Sequence, residues 1–299
     1  MKRPPFLKPG DKIGIFAPAR KINSNELNFA IKAIENHGYQ AFFSKKLFAV
    51  DNQFAGTDKK RAAVLQELLD NDDVKAVVSA RGGYGSVRII DEIDFTNFIK
   101  KPKWLIGYSD ITVFHSHINK NFEIETLHAA MPLGLEKNSA ESVEGIFEVL
   151  KGSNPAYRFD IHPLNKPGDA KGKLTGGNLS VLYSLLGSNS FPETNGKTLF
   201  LEDLDEYLYH IERMMMALKR AGVLKGLAGI IVGGMTDMRD NEIPFGKTAQ
   251  EIIREAVDEY NYPVCFGFPA GHQSQNLPLI MGSEIILEQK NKATLRFVE

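Results

Sequence analysis

This 299-residue sequence predicts two α/β units, the first built on a doubly wound, mostly parallel sheet. Three observations carry that expectation. Strand-like and helix-like segments alternate through the first half in a βαβ rhythm. The composition, 43% hydrophobic and 24% charged, is that of an ordinary globular protein with enough apolar side chains for sizeable cores. Between Gly152 and Gly172 periodicity is lost and Ser, Asn, Pro, Gly and Lys dominate, which reads as an interdomain connection. The expected division is therefore a first domain over 1–151, a connection over 152–173 and a second domain over 174–299.

The elements follow in order. Lys12-Ile-Gly-Ile-Phe-Ala is a short apolar strand, followed by a helix from about Ser24 to Asn36 and a short strand near Ala41 to Ser44. A helix from Asp58 to Leu69, capped by Gly56-Thr57, leads into the strand Val74-Lys-Ala-Val-Val-Ser. A glycine loop, Arg81-Gly-Gly-Tyr-Gly-Ser86, and a helix near Val87 to Ile93 precede the strand that ends at Ser109. There Asp110 stands where a helix N-cap belongs, with Ile111, Val113 and Phe114 as the apolar face behind it. In the second half a helix is expected near Asn178 to Leu186, then the strand Thr198-Leu-Phe-Leu-Glu-Asp and a long helix from Tyr207 to Ala221. The strand Gly229-Ile-Ile-Val-Gly-Gly, a helix from Thr248 to Glu259 and a strand from Val264 to Phe268 complete the alternation. The tail from Leu279 to Val298 reads as β segments of a hairpin or small barrel.

Charge and cysteine usage exclude several classes. Lys+Arg 36 against Asp+Glu 37 leaves a net charge of −1 with no basic run, so neither nucleic acid nor a membrane is expected as a partner. The single cysteine, Cys265, lies in an apolar run and is expected as a buried core thiol. No apolar stretch approaches the ~20 residues that span a bilayer, and the chain as written reads as cytoplasmic. No His-x-His or His-x-x-x-His pair comes with a supporting carboxylate, so no metal site is expected.

Three residues at predicted strand ends could carry chemistry. The turn at Gly107-Tyr108 lifts the Ser109 hydroxyl above a helix start, where amide donors could meet an oxyanion. The familiar nucleophile elbow has a second glycine two residues after the serine, and Ile111 stands there instead. Glu202 closes an apolar strand, and His272 lies in a polar loop just after another. The order Ser, acid, His is that of α/β-hydrolases, but here the serine belongs to one domain and its partners to the other. The Arg81 loop is neither a P-loop nor a dinucleotide fingerprint; it suits an oxyanion or carboxylate. His128, ending the strand Glu125-Thr-Leu-His, is a further candidate beside the site.

Arg81-Gly-Gly-Tyr-Gly, Gly107-Tyr-Ser-Asp110, Gly176-Gly-Asn-Leu179, Leu201-Glu-Asp203 and Gly271-His272 together resemble the LD-carboxypeptidases, or muramoyltetrapeptide carboxypeptidases. Leu7-Lys-Pro-Gly-Asp-Lys-Ile-Gly-Ile-Phe-Ala-Pro18 is similar as well, and the likeness runs over essentially the whole chain. That family also includes the microcin C immunity proteins. The resemblance implies a flavodoxin-like N-terminal domain with a smaller swivelling β/β/α C-terminal domain, generally in a homodimer. It implies a serine peptidase that releases terminal D-alanine from muropeptide tetrapeptides without a cofactor. By motif, Ser109 is the nucleophile, His272 the base and acid, and Glu202 its orienting carboxylate. The amides of Gly83 and Asp110 form the oxyanion hole, and Arg81, Gly82, Tyr84, Asn178 and His128 contact substrate. One departure is Thr126-Leu-His-Ala-Ala-Met-Pro, where the family carries a His-Gly-Pro-Met type of segment.

Overall fold

The computed structural model describes residues 1–298. Its first sheet contains β1 (Lys12–Phe16), β2 (Gln40–Phe42), β3 (Val74–Ser79), β4 (Trp104–Gly107) and β5 (Thr126–His128). They lie parallel in the order β2-β1-β3-β4-β5, the flavodoxin-like arrangement. Burial on both faces explains the unbroken apolar runs of its central strands, since every residue of β4 is buried and all of β3 except Lys75. The helices between them are α1 (Asn28–Asn36), α2 (Asp58–Asp70), α3 (Thr96–Lys100), α4 (Thr112–Phe122) and α5 (Ala140–Lys151). Thr57 caps α2 by accepting from Lys60 N, as the sequence leads one to expect. Gly14 lets α2 close on β1, because a Cβ there would lie 3.0 Å from Leu68.

The second sheet takes β6 (Ala156–Phe159), β7 (Ala170–Asn178), β8 (Thr198–Leu204), β9 (Gly229–Thr236) and β10 (Val264–Phe266). It also takes β12 (Glu284–Gln289) and β13 (Ala293–Phe297), whereas β11 (Leu279–Met281) goes elsewhere. The order is β10-β9-β8-β7-β12-β13-β6, parallel from β7 to β10 and antiparallel beyond. Its helices are α6 (Leu179–Ser184), α7 (Leu208–Arg220) and α8 (Ala249–Ala256). Alternation along the parallel strands divides their side chains between two cores. Leu199, Leu201, Ile230 and Val232 pack under α7 and α8, while Phe200, Ile231 and Cys265 join the core shared with β12, β13 and the first sheet. Cys265 is fully buried, and burial pushes its thiol up to about 12. No helix among the described residues is long and apolar enough to cross a membrane.

Several expectations need correction. The helix expected near Val87 to Ile93 is two 3-10 turns, Ser86–Arg88 and Ile90–Glu92, broken at Ile89, whose φ of −119° departs from helical geometry. The helix α5 was not anticipated, although Ser139 caps it and Gly152 closes it. The expected connection over 152–173 carries β6 and the start of β7, so part of it is sheet. The tail does form the β12–β13 hairpin, but β11 leaves the second sheet and adds to the first. It runs antiparallel to β5, with Leu279 opposite His128 and Ile280 opposite Leu127. A three-residue apolar strand carries no periodicity that could say which sheet it joins.

The loop between β10 and β11, which carries His272, is consequently anchored in one sheet at its start and in the other at its end. Ile280→Ala, at a fully buried position of β11, should cost about 2–4 kcal/mol in denaturant unfolding. It should also slow turnover, because the histidine loop loses its second anchor; an unchanged midpoint would contradict this packing.

Candidate active site

The elbow after β4 is a strained turn. Ser109 has φ +61°, a left-handed conformation that non-glycine residues seldom adopt. Gly107, at φ +154°, makes the turn possible, because a Cβ there would stand 2.8 Å from Ile111 Cγ1. The crowding explains why Ile111 is tolerated where a second glycine is usual: the space is provided on the other flank of the serine. Ser109 then opens a 3-10 turn that runs into α4. Among the described residues its Oγ has no hydrogen-bond partner, as is common for nucleophiles without substrate.

Asp110 does not cap α4. It is buried, and its Oδ2 accepts from Ser86 N at 2.9 Å, tying the elbow to the end of the glycine loop. Burial pushes its carboxyl up, opposed by the Ser86 and Gly85 amides and by Arg61. Arg61, on α2 and almost fully buried, holds that loop from below through Gly85 O at 3.0 Å. It also donates to Pro18 O and pairs with Asp58, so the loops after β1 and β3 share one clamp. These are the loops that flank the point where strand order reverses, the usual ligand crevice of such sheets.

Gly82 of that loop lies directly against Ser109: a Cβ on it would be 3.5 Å from Ser109 Oγ and 3.3 Å from Met131 Cε. Gly83, at φ +118°, is backed by the Arg20 side chain, whose stem would lie 2.8 Å from a Cβ. Arg81 donates from Nη1 to Lys21 O at 3.0 Å, and its buried Nε has no partner among the described residues. Tyr84 is 51% exposed beside Phe54, 6.4 Å between ring centroids.

The second domain supplies the other half. Glu202, fully buried at the end of β8, accepts from His272 Nδ1 at 2.7 Å through Oε2. Gly271, at φ +105°, makes the approach possible, since a Cβ there would be 2.7 Å from that same oxygen. Burial pulls His272 down, but the Glu202 carboxylate, its hydrogen bond and then Asp203 outweigh it, and the imidazole ends above its ordinary value. Across the cleft the ring of Tyr108, next to Ser109 in the chain, lies 4.8 Å from the His272 ring. The Glu202–His272 pair of the second sheet thus lies beside Tyr108, the chain neighbour of Ser109 at the end of the first.

Two expected substrate contacts change character. His128 is fully buried under Tyr108 and Phe200, at 5.8 and 5.1 Å between centroids, so it cannot reach a ligand. Burial drives its pKa well down, and it is a neutral ring packed behind the site. Asn178 is 4% exposed and is the N-cap of α6: its Oδ1 accepts from Val181 N and Ser180 Oγ, and Nδ2 donates to Asp203. Only one amide hydrogen of its side chain is left for a ligand. Among the described residues, no group of three His, Cys, Asp or Glu side chains could hold a metal ion.

Sequence reasoning passed over Arg61, Arg20 and Thr112. Arg61 left a signal, since it falls on the same stripe of α2 as Leu65 and Leu68. A charged residue there must find buried acceptors. Arg20 and Thr112 left none.

Comparison with known proteins agrees with this geometry. Residues 13–129 match the LD-carboxypeptidase N-terminal domain and residues 171–287 the LD-carboxypeptidase C-terminal domain. The chain belongs to the LD-carboxypeptidase family. A probable murein peptide carboxypeptidase of Bacillus subtilis is 33% identical, over 98% of this chain and 93% of that protein. A microcin self-immunity protein of Escherichia coli is 27% identical, over 95% of this chain and 92% of that one. The crystal structure of a muramoyltetrapeptide carboxypeptidase from Oxalobacter formigenes superposes with a TM-score of 0.87 at 27% identity, over 96% of this chain and 99% of that one. This membership makes the chain a peptidase.

The tightest test of the site is Gly271→Ala. With a Cβ forced to 2.7 Å from the Glu202 carboxylate oxygen, the Glu202–His272 bond should break. Peptidase turnover should fall at least about tenfold, with a stability loss of about 1–3 kcal/mol by denaturant melt. Wild-type turnover would contradict the geometry.

Proposed function

We propose that this family member is a serine-type carboxypeptidase that removes terminal D-alanine from murein tetrapeptides during recycling of cell-wall peptides in the cytoplasm. The observation that carries the reading is the left-handed Ser109 at the elbow, whose neighbour Tyr108 lies 4.8 Å from the ring of the His272–Glu202 pair of the other domain. Family membership and the murein peptide carboxypeptidases among the relatives support it.

In this reading His272 Nε2 takes the Ser109 proton as Oγ attacks the carbonyl carbon of the L,D amide. Glu202 keeps the imidazole in the tautomer that carries its proton on Nδ1 and stabilises the imidazolium. The amides of Asp110, in the first turn after the nucleophile, and of Gly83 receive the oxyanion. Collapse breaks the C–N bond, and His272 returns its proton to the departing amine, freeing D-alanine. Water, activated by the same histidine, then hydrolyses the acyl-serine. The free carboxylate that defines an exopeptidase substrate is met by the exposed Arg20 beside Gly83 and by the Arg81 loop.

Ser109→Ala should lower D-alanine release from a murein tetrapeptide by roughly 10³-fold or more without disturbing the fold. Full activity in that variant would sink the reading. Rapid cleavage of an aspartyl-adenylate analogue with no tetrapeptide turnover would instead move the chain toward the immunity-type relatives.

A pH profile tests the base independently. His272 must be neutral to accept the proton, and its pKa is raised above 6.5, so kcat/KM should climb through a limb lying above that value. Glu202→Gln should move the limb to lower pH, because the carboxylate that favours the imidazolium is gone. A limb unmoved by Glu202→Gln would contradict the assignment.

A further inference from the structure

Three buried polar residues between the two sheets take no part in the steps above. Thr112 Oγ1, one turn beyond the nucleophile on α4, accepts from Asn178 N at 3.0 Å. Asn178 Nδ2 donates to Asp203 Oδ1 at 2.9 Å, and the Asp203 carboxylate also accepts from Ser180 N and Leu204 N, each at 2.9 Å. Thr112, Asn178 and Asp203 are 0%, 4% and 2% exposed. Asp203 is the chain neighbour of Glu202, whose other contact is His272. Through the chain links from Ser109 to Thr112 and from Asp203 to Glu202, these contacts run in one line from the elbow across both sheets to His272. We propose that Thr112, Asn178 and Asp203 are positioning residues that hold Ser109 in register with His272, and that the Asp203 carboxylate also favours the imidazolium formed in the reaction.

Two physical arguments favour this over plain helix capping. Asn178 already caps α6 through its own Oδ1, so a buried carboxylate behind it is costly for capping alone. Burial first, then Glu202, push the Asp203 carboxyl up to about 7, against the pull of Leu204, Asn178 and Ser180. Such a group persists more readily where it has a charge to face. The titratable side chains around His272 are Glu202 and Asp203 on β8, Tyr108 on the elbow and His128 at the end of β5, with His115 of α4 behind His128. Burial pushes the Tyr108 phenol up to about 12 and keeps His128 and His115 neutral. Negative charge therefore reaches His272 from Glu202, and from Asp203 where the pH is high enough to ionise a carboxyl raised to about 7.

This inference rests on the serine-peptidase reading, and the variants separate the two. With D-alanine release from a murein tetrapeptide as readout, Asp203→Asn should lower kcat about 10- to 100-fold with KM held within about threefold. The acid limb of kcat/KM should move to lower pH, which a merely structural residue would not cause. Thr112→Val should lower kcat with the limb in place, and Thr112→Ser should restore it. If Asp203→Asn fails to fold, the Thr112 pair decides on kcat alone. Wild-type kcat in Thr112→Val, or an unmoved limb in folded Asp203→Asn, overturns the inference. If Ser109→Ala is inactive at the same time, the peptidase reading survives that failure; activity in Ser109→Ala brings down both.

Discussion

Everything in this protein depends on a close approach of backbone to side chain between its two sheets. Gly177, at φ +138°, comes so near to Thr112 that a Cβ would stand 2.5 Å from Thr112 Oγ1. No other residue type could bring the sheet that carries Glu202 so close to the helix that follows Ser109. Neither domain holds a complete set of groups: Ser109 and the glycine loop belong to the first, Glu202 and His272 to the second. The return of β11 to the first sheet is the second tie, and it lies on the chain segment that carries His272. A swivel between the domains would have to work against both.

The electrostatics follow from where this seam lies. Glu202 is fully buried, and its Oε1 has no partner among the described residues, so its charge is spent on His272. A buried carboxylate with one partner is strongly coupled to it, which is what orients an imidazole. Asp110 solves the same problem differently, turning its charge on the amides at the end of the glycine loop. Two buried carboxylates thus act on opposite walls of one cleft, one fixing the His272 ring and the other fixing the loop that lies over Ser109. The strain at Ser109 is held by the packing of Ile111 on Gly107 and by this carboxylate.

Much of this was legible in the sequence, for reasons that can be named. The β1, β3 and β4 strands and the elbow are local features, written as apolar runs ended by glycine and serine, and they lie where they were expected. Glu202 stands out in the sequence because it closes a predicted strand and His272 because it lies in the loop after one, and strand ends are where such sheets carry function. The failures share a different cause. Asn178 was placed by motif and His128 by its strand end, but whether a polar side chain meets ligand or protein depends on neighbours distant in the chain: Asp203 for the first, Tyr108 and Phe200 for the second. The role of Asp110 was misread because its partner, Ser86, is 24 residues away. The destination of β11 was invisible for the same reason, since a short apolar strand does not name its neighbour.

The central claim is that one peptide is held between the two domains with its scissile amide on Ser109. A crystal structure of the Ser109→Ala variant with an intact murein tetrapeptide addresses it most directly. The account predicts the carbonyl carbon of the L,D amide over residue 109, its oxygen toward the amides of Gly83 and Asp110, and the terminal carboxylate beside Arg20 and Arg81. A peptide bound with its free carboxylate away from the glycine loop, or with the scissile amide out of reach of residue 109 and His272, would contradict it.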